Sequence, residues 1–446
     1  MTPVPFAVIV LAAGRGTRMR SALPKVLHKV AGRAMVGHVI AAAEALGASK
    51  VVVVVAPGMD DVAAAVKPHS VAIQHSQNGT ADAVKAARGL LENFVGDVLI
   101  LYGDVPLTQT ETLTRMRAER RDEAVTVLAM RVPAPTPYGR LVLAADGTLE
   151  RIVEALDANE SERQIDLCNT GIMLIDGARL FGLLDSIGND NAKGEYYLTD
   201  IVEVARNAGS TCRVVEAAEE EALGVNSRAE LSVAEAKMQA RLRRTAMENG
   251  ATLIDPASVF LSFDTVLGRD VTVEPNVVFG PGVTIGDNVE IRAFSHIEKA
   301  VVENGAIIGP YARLRPGASI GEGAHIGNFV EIKNARIDKG AKANHLSYIG
   351  DADVGAGANI GAGTITCNYD GFAKHRTRIG AGAFIGSDTT LVAPVTIGAG
   401  AFTGAGSTVT EDVPDDALAV ARGRQAVKPG WAAEFRAKQR AAKAKE

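Results

Sequence analysis

From Ile308 onward an aliphatic residue returns at every sixth position: Ile308, Leu314, Ile320, Ile326 and Ile332, then again Ile379, Ile385, Leu391 and Ile397. Upstream, Val271, Val277, Val283 and Val289 keep the same interval, with Ile285, Ile291 and Ile297 two positions on. Neither an α-helix, which repeats every ~3.6 residues, nor a strand alternating faces gives this period. A coil of very short parallel strands does. Each hexapeptide forms one flat side, three sides make a turn, and the aliphatic residue points inward. Glycine usually follows the aliphatic residue, as tight corners require. The register is lost near Glu298–Ile307 and across Thr366–Arg378, where a loop is expected to project.

The 446 residues exceed one ordinary domain. Residues 1–227 alternate short apolar runs (Ala7–Ala12, Val51–Ala56, Val98–Tyr102, Ala124–Met130) with helical patterns such as Met35–Leu46 and Thr80–Leu91. That alternation predicts an α/β domain with a mostly parallel sheet. Arg228–Glu248 lacks Gly and Pro and reads as one linker helix, with Gly250 placed to end it. The expected domains are therefore 1–227, a linker at 228–249, and the coil at 250–446. A net charge of −5 argues against nucleic-acid binding. Three cysteines, Cys168, Cys212 and Cys367, without metal-type spacing suit a cytoplasmic protein with reduced thiols. The run Phe6–Ala13 reads as a buried strand, not a signal peptide, and no segment is long enough to span a membrane. The basic stretch Arg436–Lys445 reads as a solvated helix or frayed tail.

The first strand runs into Leu11, Ala12, Ala13, Gly14, Arg15, Gly16, Thr17, Arg18 and Met19, with Pro24 and Lys25 following. A glycine-rich turn after a strand lets backbone N–H groups approach phosphates, and Arg15, Arg18 and Lys25 add charge. Such a turn also serves as an ordinary strand-to-helix connection. The whole string is more specific: it resembles the signature of the sugar-nucleotide pyrophosphorylases. Gln74, Gly79 with Thr80, Tyr102-Gly103-Asp104, Tyr138-Gly139-Arg140, Glu154, Asn169-Thr170-Gly171 and Gly224-Val225-Asn226 fall in the family's order. The resemblance implies a Rossmann-like nucleotidyltransferase domain in which a sugar 1-phosphate attacks the α-phosphate of UTP. Leu11, Ala12, Ala13 and Gly14 would cradle the nucleotide, with Arg15 and Lys25 on the phosphates. Gln74, Gly79 and Thr80 would hold uracil. Gly139, Glu154 and Asn169 would hold the sugar, beside Tyr102 and Gly103. Asp104 and Asn226 would bind Mg2+. Read as residues alone, Asp104, Asn169 and Asn226 could equally cap turns. The chain departs from the pattern at Asn78, Leu156 and Cys168, where leucine, lysine and an acidic or apolar run are usual.

Within the coil, Arg315, Lys333, His345, Tyr348 and Asn359 interrupt the aliphatic and small residues. Stacked coils lie ~4.8 Å apart, so Arg315, Lys333 and His345 are expected to line one edge and meet one anionic substrate. His345 is a candidate general base; a hydrogen-bonding histidine at a subunit interface is the other reading. Zinc binding would need a close histidine pair, whereas His325, His345 and His375 are 20 and 30 residues apart.

These segments resemble the hexapeptide-repeat acyltransferases, and the two motif sets together resemble bacterial bifunctional enzymes that join both activities. That resemblance implies a left-handed parallel β-helix and a homotrimer. It also implies acetylation of glucosamine 1-phosphate by acetyl-CoA, then uridyl transfer from UTP to give UDP-N-acetylglucosamine and pyrophosphate. Arg315, Lys333, Tyr348 and Asn359 would hold glucosamine 1-phosphate. Ala362, Asn368, Tyr369, Ser387, Ala405 and Arg422 would hold acetyl-CoA. Two rival readings are a coil that only oligomerises or regulates, and an N-terminal half that only senses sugar nucleotides.

Overall fold

A computed structural model describes residues 5–444. Lys445, part of the predicted basic tail, lies outside them. Two compact units divide between Arg244 and Thr245.

The first unit is built on a sheet whose central strand, Phe6–Leu11, is buried throughout. It pairs in parallel with Lys50–Val55 on one side and Asp97–Tyr102 on the other. Ser70–Ile73 extends the first side. Leu167–Asp176 runs antiparallel between Asp97–Tyr102 and Val125–Arg131. Apolar side chains alternate to both faces, so two cores form. Ile9, Val52 and Ile100 fill one; Val8, Val53 and Leu101 fill the other. Leu11 is in register with Val54 and Tyr102, so the parallel strands end together. The loops that follow them share one edge, where open α/β sheets place ligands.

The predicted helix Thr80–Leu91 is two short ones, Thr80–Lys85 and Arg88–Leu91. At the junction the Ala87 and Leu90 amides bond three residues back, to Val84 and Ala87, a tightening that Gly89 next to it favours over a regular helix. The helix Arg228–Glu248 forms over the span expected of it. Gly250 follows at φ +101°, a conformation that suits glycine.

The second unit is a left-handed parallel β-helix. Among the described residues its short strands form three sheets, of ten, eight and eight strands. The six-residue series lies inside: Ile308, Leu314, Ile320, Ile326 and Ile332 are fully buried, and the small residues Ala306, Ala312 and Ala324 beside them are buried too. The corners carry left-handed backbone, as at Phe294, Tyr311, Phe329 and Leu346. The register is lost near Glu298–Ile307 as expected, by one residue, and the stack stays intact. Ala300–Val302 pairs on both sides, and Ile285 is in register with Val302. The coil is merely shortened, because a corner can lose one residue without unpairing its strands. Between Cys367 and Thr377 the chain leaves the coil as a loop, with Phe372 97% exposed at its tip. Trp431–Lys443 is an exposed helix.

Because the interior is closely packed, removing a fully buried side chain leaves a cavity. Ile332→Ala is expected to destabilise the coil by about 2–5 kcal/mol. Val301→Ala, at a half-exposed position, should cost under about 1 kcal/mol. Chemical denaturation of the two variants measures the difference.

Candidate active sites

In the first unit, the loops at the strand ends enclose a cavity of about 350 Å³. Leu11, Ala12, Ala13, Gly14, Arg15, Lys25, Gln74, Gly79, Thr80, Tyr102 and Asp104 all line it. Gly103 backs it, donating its N–H to the Leu11 carbonyl at 2.9 Å. The turn packs tightly on Lys25: Gly16 sits at φ +65°, and a Cβ there would lie 2.5 Å from Lys25 Cβ. Pro24 then starts a short 3-10 turn, Lys25–Leu27, that buries the lysine stem. The Lys25 ammonium bonds Asp104 Oδ2 and, at 2.9 Å, Asn226 Oδ1. The Val225 amide donates to the Asp104 carbonyl at 2.9 Å, joining the two loops.

Two side-chain oxygens, one of them charged, thus converge on the Lys25 ammonium. Among the described residues no three His, Cys, Asp or Glu side chains gather as a metal cage. The donor chemistry of Asp104 and Asn226, one carboxylate and one amide oxygen, is of the kind that suits an ion taking its remaining oxygens from phosphates and water.

Gln74 is oriented by two acceptors, its amide nitrogen donating to the Gly79 carbonyl at 3.0 Å and to Asp82 at 2.8 Å. That leaves its oxygen as the acceptor. Asp82, Gln77 and Glu195, which shape this end of the cavity, belong to no motif and went unpredicted. Thr80 Oγ1 accepts the Leu198 amide at 2.9 Å. Burial, and after it the charges of Glu154 and Asp104, pushes the Tyr102 hydroxyl well above its ordinary value. The phenol therefore stays neutral.

Gly139, Glu154 and Asn169 come together outside the lining of this cavity. The Asn169 amide donates to the Gly139 carbonyl at 2.8 Å, and its side-chain oxygen caps the Gly171 amide at 2.9 Å. Glu154 accepts from Thr199 at 3.1 Å; burial raises its pKa against that bond. Glu154, Leu156 and Lys193 line a pocket of about 80 Å³. The lysine expected at 156 is absent, and Lys193 supplies a cation instead. Asn78 binds its neighbours through its backbone, and Cys168 fills a small core with Met130 and Ala222.

In the coil, the predicted polar residues do not line one edge, nor one face. Arg315 and Lys333 precede the corners at Gly317 and Asn334, whereas His345 precedes the corner at Leu346. The strand Tyr348–Gly350 lies between these corners. A coil has three corners per turn, and residues separated by whole coils share a corner only if their position within the hexapeptide matches.

At one edge, Arg315 pairs with Glu331 at 2.7 Å and Lys333 with Asp351 at 3.1 Å. Burial would raise Asp351, but hydrogen bonds from Asn334, Lys333 and Asn368 outweigh it and hold its carboxyl below the usual range. Asn368 Nδ2 also reaches Tyr348 Oη at 3.4 Å. Lys374, on the projecting loop, was not predicted. It joins the edge by contacting Lys333, and that contact depresses its pKa.

At the other edge, His345 Nδ1 bonds Asn328 Oδ1 at 2.7 Å. An amide oxygen only accepts, so Nδ1 is the donor in this bond and Nε2 is left outside it. Successive coils extend this edge. The Gly363 amide bonds the His345 carbonyl, the Asp388 amide bonds that of Ala362, and the Gly406 amide bonds that of Ser387. Ala405 follows beside Gly386, and Arg422 beside Gly406. Asn359 pairs with Lys342 on the adjoining face, and Tyr369 stands exposed on the loop.

A nucleotide-site loop on an α/β sheet, joined through a helix to a hexapeptide coil with its own polar face, defines a two-domain transferase. Residues 8–167 match the MobA-like NTP transferase domain, and 264–299, 299–334 and 376–411 match the bacterial transferase hexapeptide repeats. The chain is 59% identical to the bifunctional protein GlmU of Paramagnetospirillum magneticum over the whole of both chains. It is 61% identical to that of Rhodospirillum rubrum over 97% of this chain and 98% of the relative. The Xanthobacter autotrophicus protein is 59% identical over 98% of each. The chain belongs to the bifunctional GlmU family.

Asp200, beside Glu154, offers a test of the electrostatics. Burial, then the charges of Glu203, Glu154 and Asp157, raises its pKa from 3.8 to about 6. The folded state therefore holds this proton more tightly than the unfolded chain, and the stability so gained is lost as pH rises from about 4 through about 6. Asp200→Asn cannot ionise. Its melting temperature relative to the parent should climb across that window, whereas a constant difference would exclude the shift.

Proposed function

We propose that the chain makes UDP-N-acetylglucosamine in two steps: acetylation of glucosamine 1-phosphate by acetyl-CoA, then uridyl transfer from UTP with release of pyrophosphate. We assign uridyl transfer to residues 1–227, linkage to 228–249, and acetyl transfer to 250–446. The observation that carries this reading is a cavity lined by the glycine-rich turn, Arg15, Lys25 and Asp104 together with a coil bearing Arg315, Lys333 and His345, on one chain. Family membership supports the use of a divalent metal and of acetyl-CoA. Mg2+ is the ion we propose, and the cytoplasm, where both nucleotide and thioester are supplied, is the proposed location. The exposed stacked rings of Phe294, Tyr311 and Phe329, 4.8 and 5.1 Å apart, support association of coils, and a homotrimer is the assembly proposed.

In the uridyl site, backbone amides at Ala13 and Gly14 and the Arg15 and Lys25 cations meet the triphosphate. The Gln74 oxygen accepts the imide N–H of uracil. The sugar phosphate oxygen forms a bond to the α-phosphorus as the bond to the β-phosphate oxygen breaks in line. Charge neutralisation and alignment are the main contributions asked of the protein. Mg2+ held by Asp104 and Asn226 would add positive charge at the phosphates.

In the acetyl site, Arg315, Lys333 and Lys374 receive the phosphate while the amine faces His345. The amine nitrogen bonds the thioester carbonyl carbon, its proton passes to His345 Nε2, and the carbon–sulfur bond breaks to release CoA. Ala362, Ser387 and Ala405 lie along the edge where the cofactor would run, towards Arg422.

His345→Ala is expected to slow acetyl transfer about 10²–10⁴-fold while leaving uridyl transfer to N-acetylglucosamine 1-phosphate unchanged. CoA and pyrophosphate release, measured separately, report the two halves. A full acetylation rate in the variant would refute the base, and no UDP-sugar from UTP, Mg2+ and N-acetylglucosamine 1-phosphate would refute the uridyl assignment.

A further inference from the structure

We infer that Glu230 is a positioning residue for the uridyl site: from the first turn of the Arg228–Glu248 helix it fixes Asn226 and so sets the affinity for the divalent ion. The inference rests on reading Asp104 and Asn226 as ion ligands. Glu230 Oε2 accepts the Asn226 amide at 2.6 Å and the Ser227 amide at 3.0 Å. In return the Glu230 amide donates to Ser227 Oγ at 3.3 Å. Reciprocal bonds of this kind commonly start helices.

Here the carboxylate does more than cap. One amide it captures belongs to the residue whose side-chain oxygen meets Lys25. The next residue back is pinned as well, its amide on the Asp104 carbonyl. The backbone of Val225 and Asn226 is thus held from two sides, and only side-chain torsions separate it from Asn226 Oδ1. Glu230 itself is exposed and has no bond to Asp104 or Lys25 among those described. It acts through Asn226. Without the carboxylate, the Asn226 amide loses its acceptor, the peptide is released to rotate, and Oδ1 leaves the point it shares with Asp104.

The test is Mn2+ binding to the full chain with neither nucleotide nor sugar phosphate present, read from loss of the free-ion paramagnetic resonance signal. Glu230→Ala should weaken Mn2+ binding about tenfold, in line with other residues that orient a metal ligand. Glu230→Gln keeps an accepting oxygen and should stay within about threefold of the parent. Ser227→Ala breaks the reciprocal bond but leaves the carboxylate on Asn226; it should lower the melting temperature yet hold Mn2+ affinity within about twofold. Equal weakening in Ser227→Ala and Glu230→Ala would mean a loosened helix start only, and overturns the inference. Asp104→Asn separates the two levels. If it weakens Mn2+ binding while Glu230→Ala does not, the positioning role is wrong. If it binds as the parent does, the ion-ligand reading fails and the inference with it.

Discussion

Parallel strand pairing leaves chemistry nowhere to sit but where strands end. In the first unit, Phe6–Leu11, Lys50–Val55 and Asp97–Tyr102 are buried on both faces, so no polar side chain can work from their middles. Their common register instead delivers Gly14, Lys25, Gln74 and Asp104 to a single rim. In the second unit, the aliphatic interior excludes polar groups just as firmly. Arg315, Lys333 and His345 stand next to corners, with their side chains outside the packed interior.

The same constraint explains how the coil tolerates irregularity. A lost residue at a corner shifts one coil and spares the hydrogen bonds, as at Val302. An added loop between Cys367 and Thr377 also spares them, since Val354 still pairs with Ile379 across it. Such a loop can therefore carry function without unravelling the fold. It brings Lys374 to the cations of the coil face and closes on itself through Asp370, which accepts amides from Phe372 and Ala373 and pairs with His375 at 2.7 Å.

The periodic interior was legible because a buried side chain leaves its mark at a fixed interval. The Arg228–Glu248 helix was legible because Gly and Pro stop at both of its ends. The cavity residues around Lys25 were legible because they travel as a contiguous string. Glu230, Asp82 and Lys374 were not: the first two look like ordinary helix-start carboxylates beside their partners in sequence, and Lys374 meets Lys333 only through the fold. The placement of His345 across the face from Lys333 was hidden for a different reason. An interval of six says which side chains point inward, but two residues reach the same corner only when whole coils separate them, and His345 stands two sides on from Lys333.

Counter-charges decide how readily the coil face takes an anion. Arg315 and Glu331 are each about a third exposed, at 36% and 31%, so their pair is worth little and exchanges easily for a phosphate. Lys333 and Asp351 are less exposed, at 17% and 10%. There, removing the lysine would strand a carboxylate that Asn334 and Asn368 already hold ionised. Asp351 is thus better placed to keep Lys333 oriented than to be displaced by substrate. An incoming phosphate would draw Arg315 from its partner, add Lys374, and leave the Lys333–Asp351 pair standing as the fixed wall of the site.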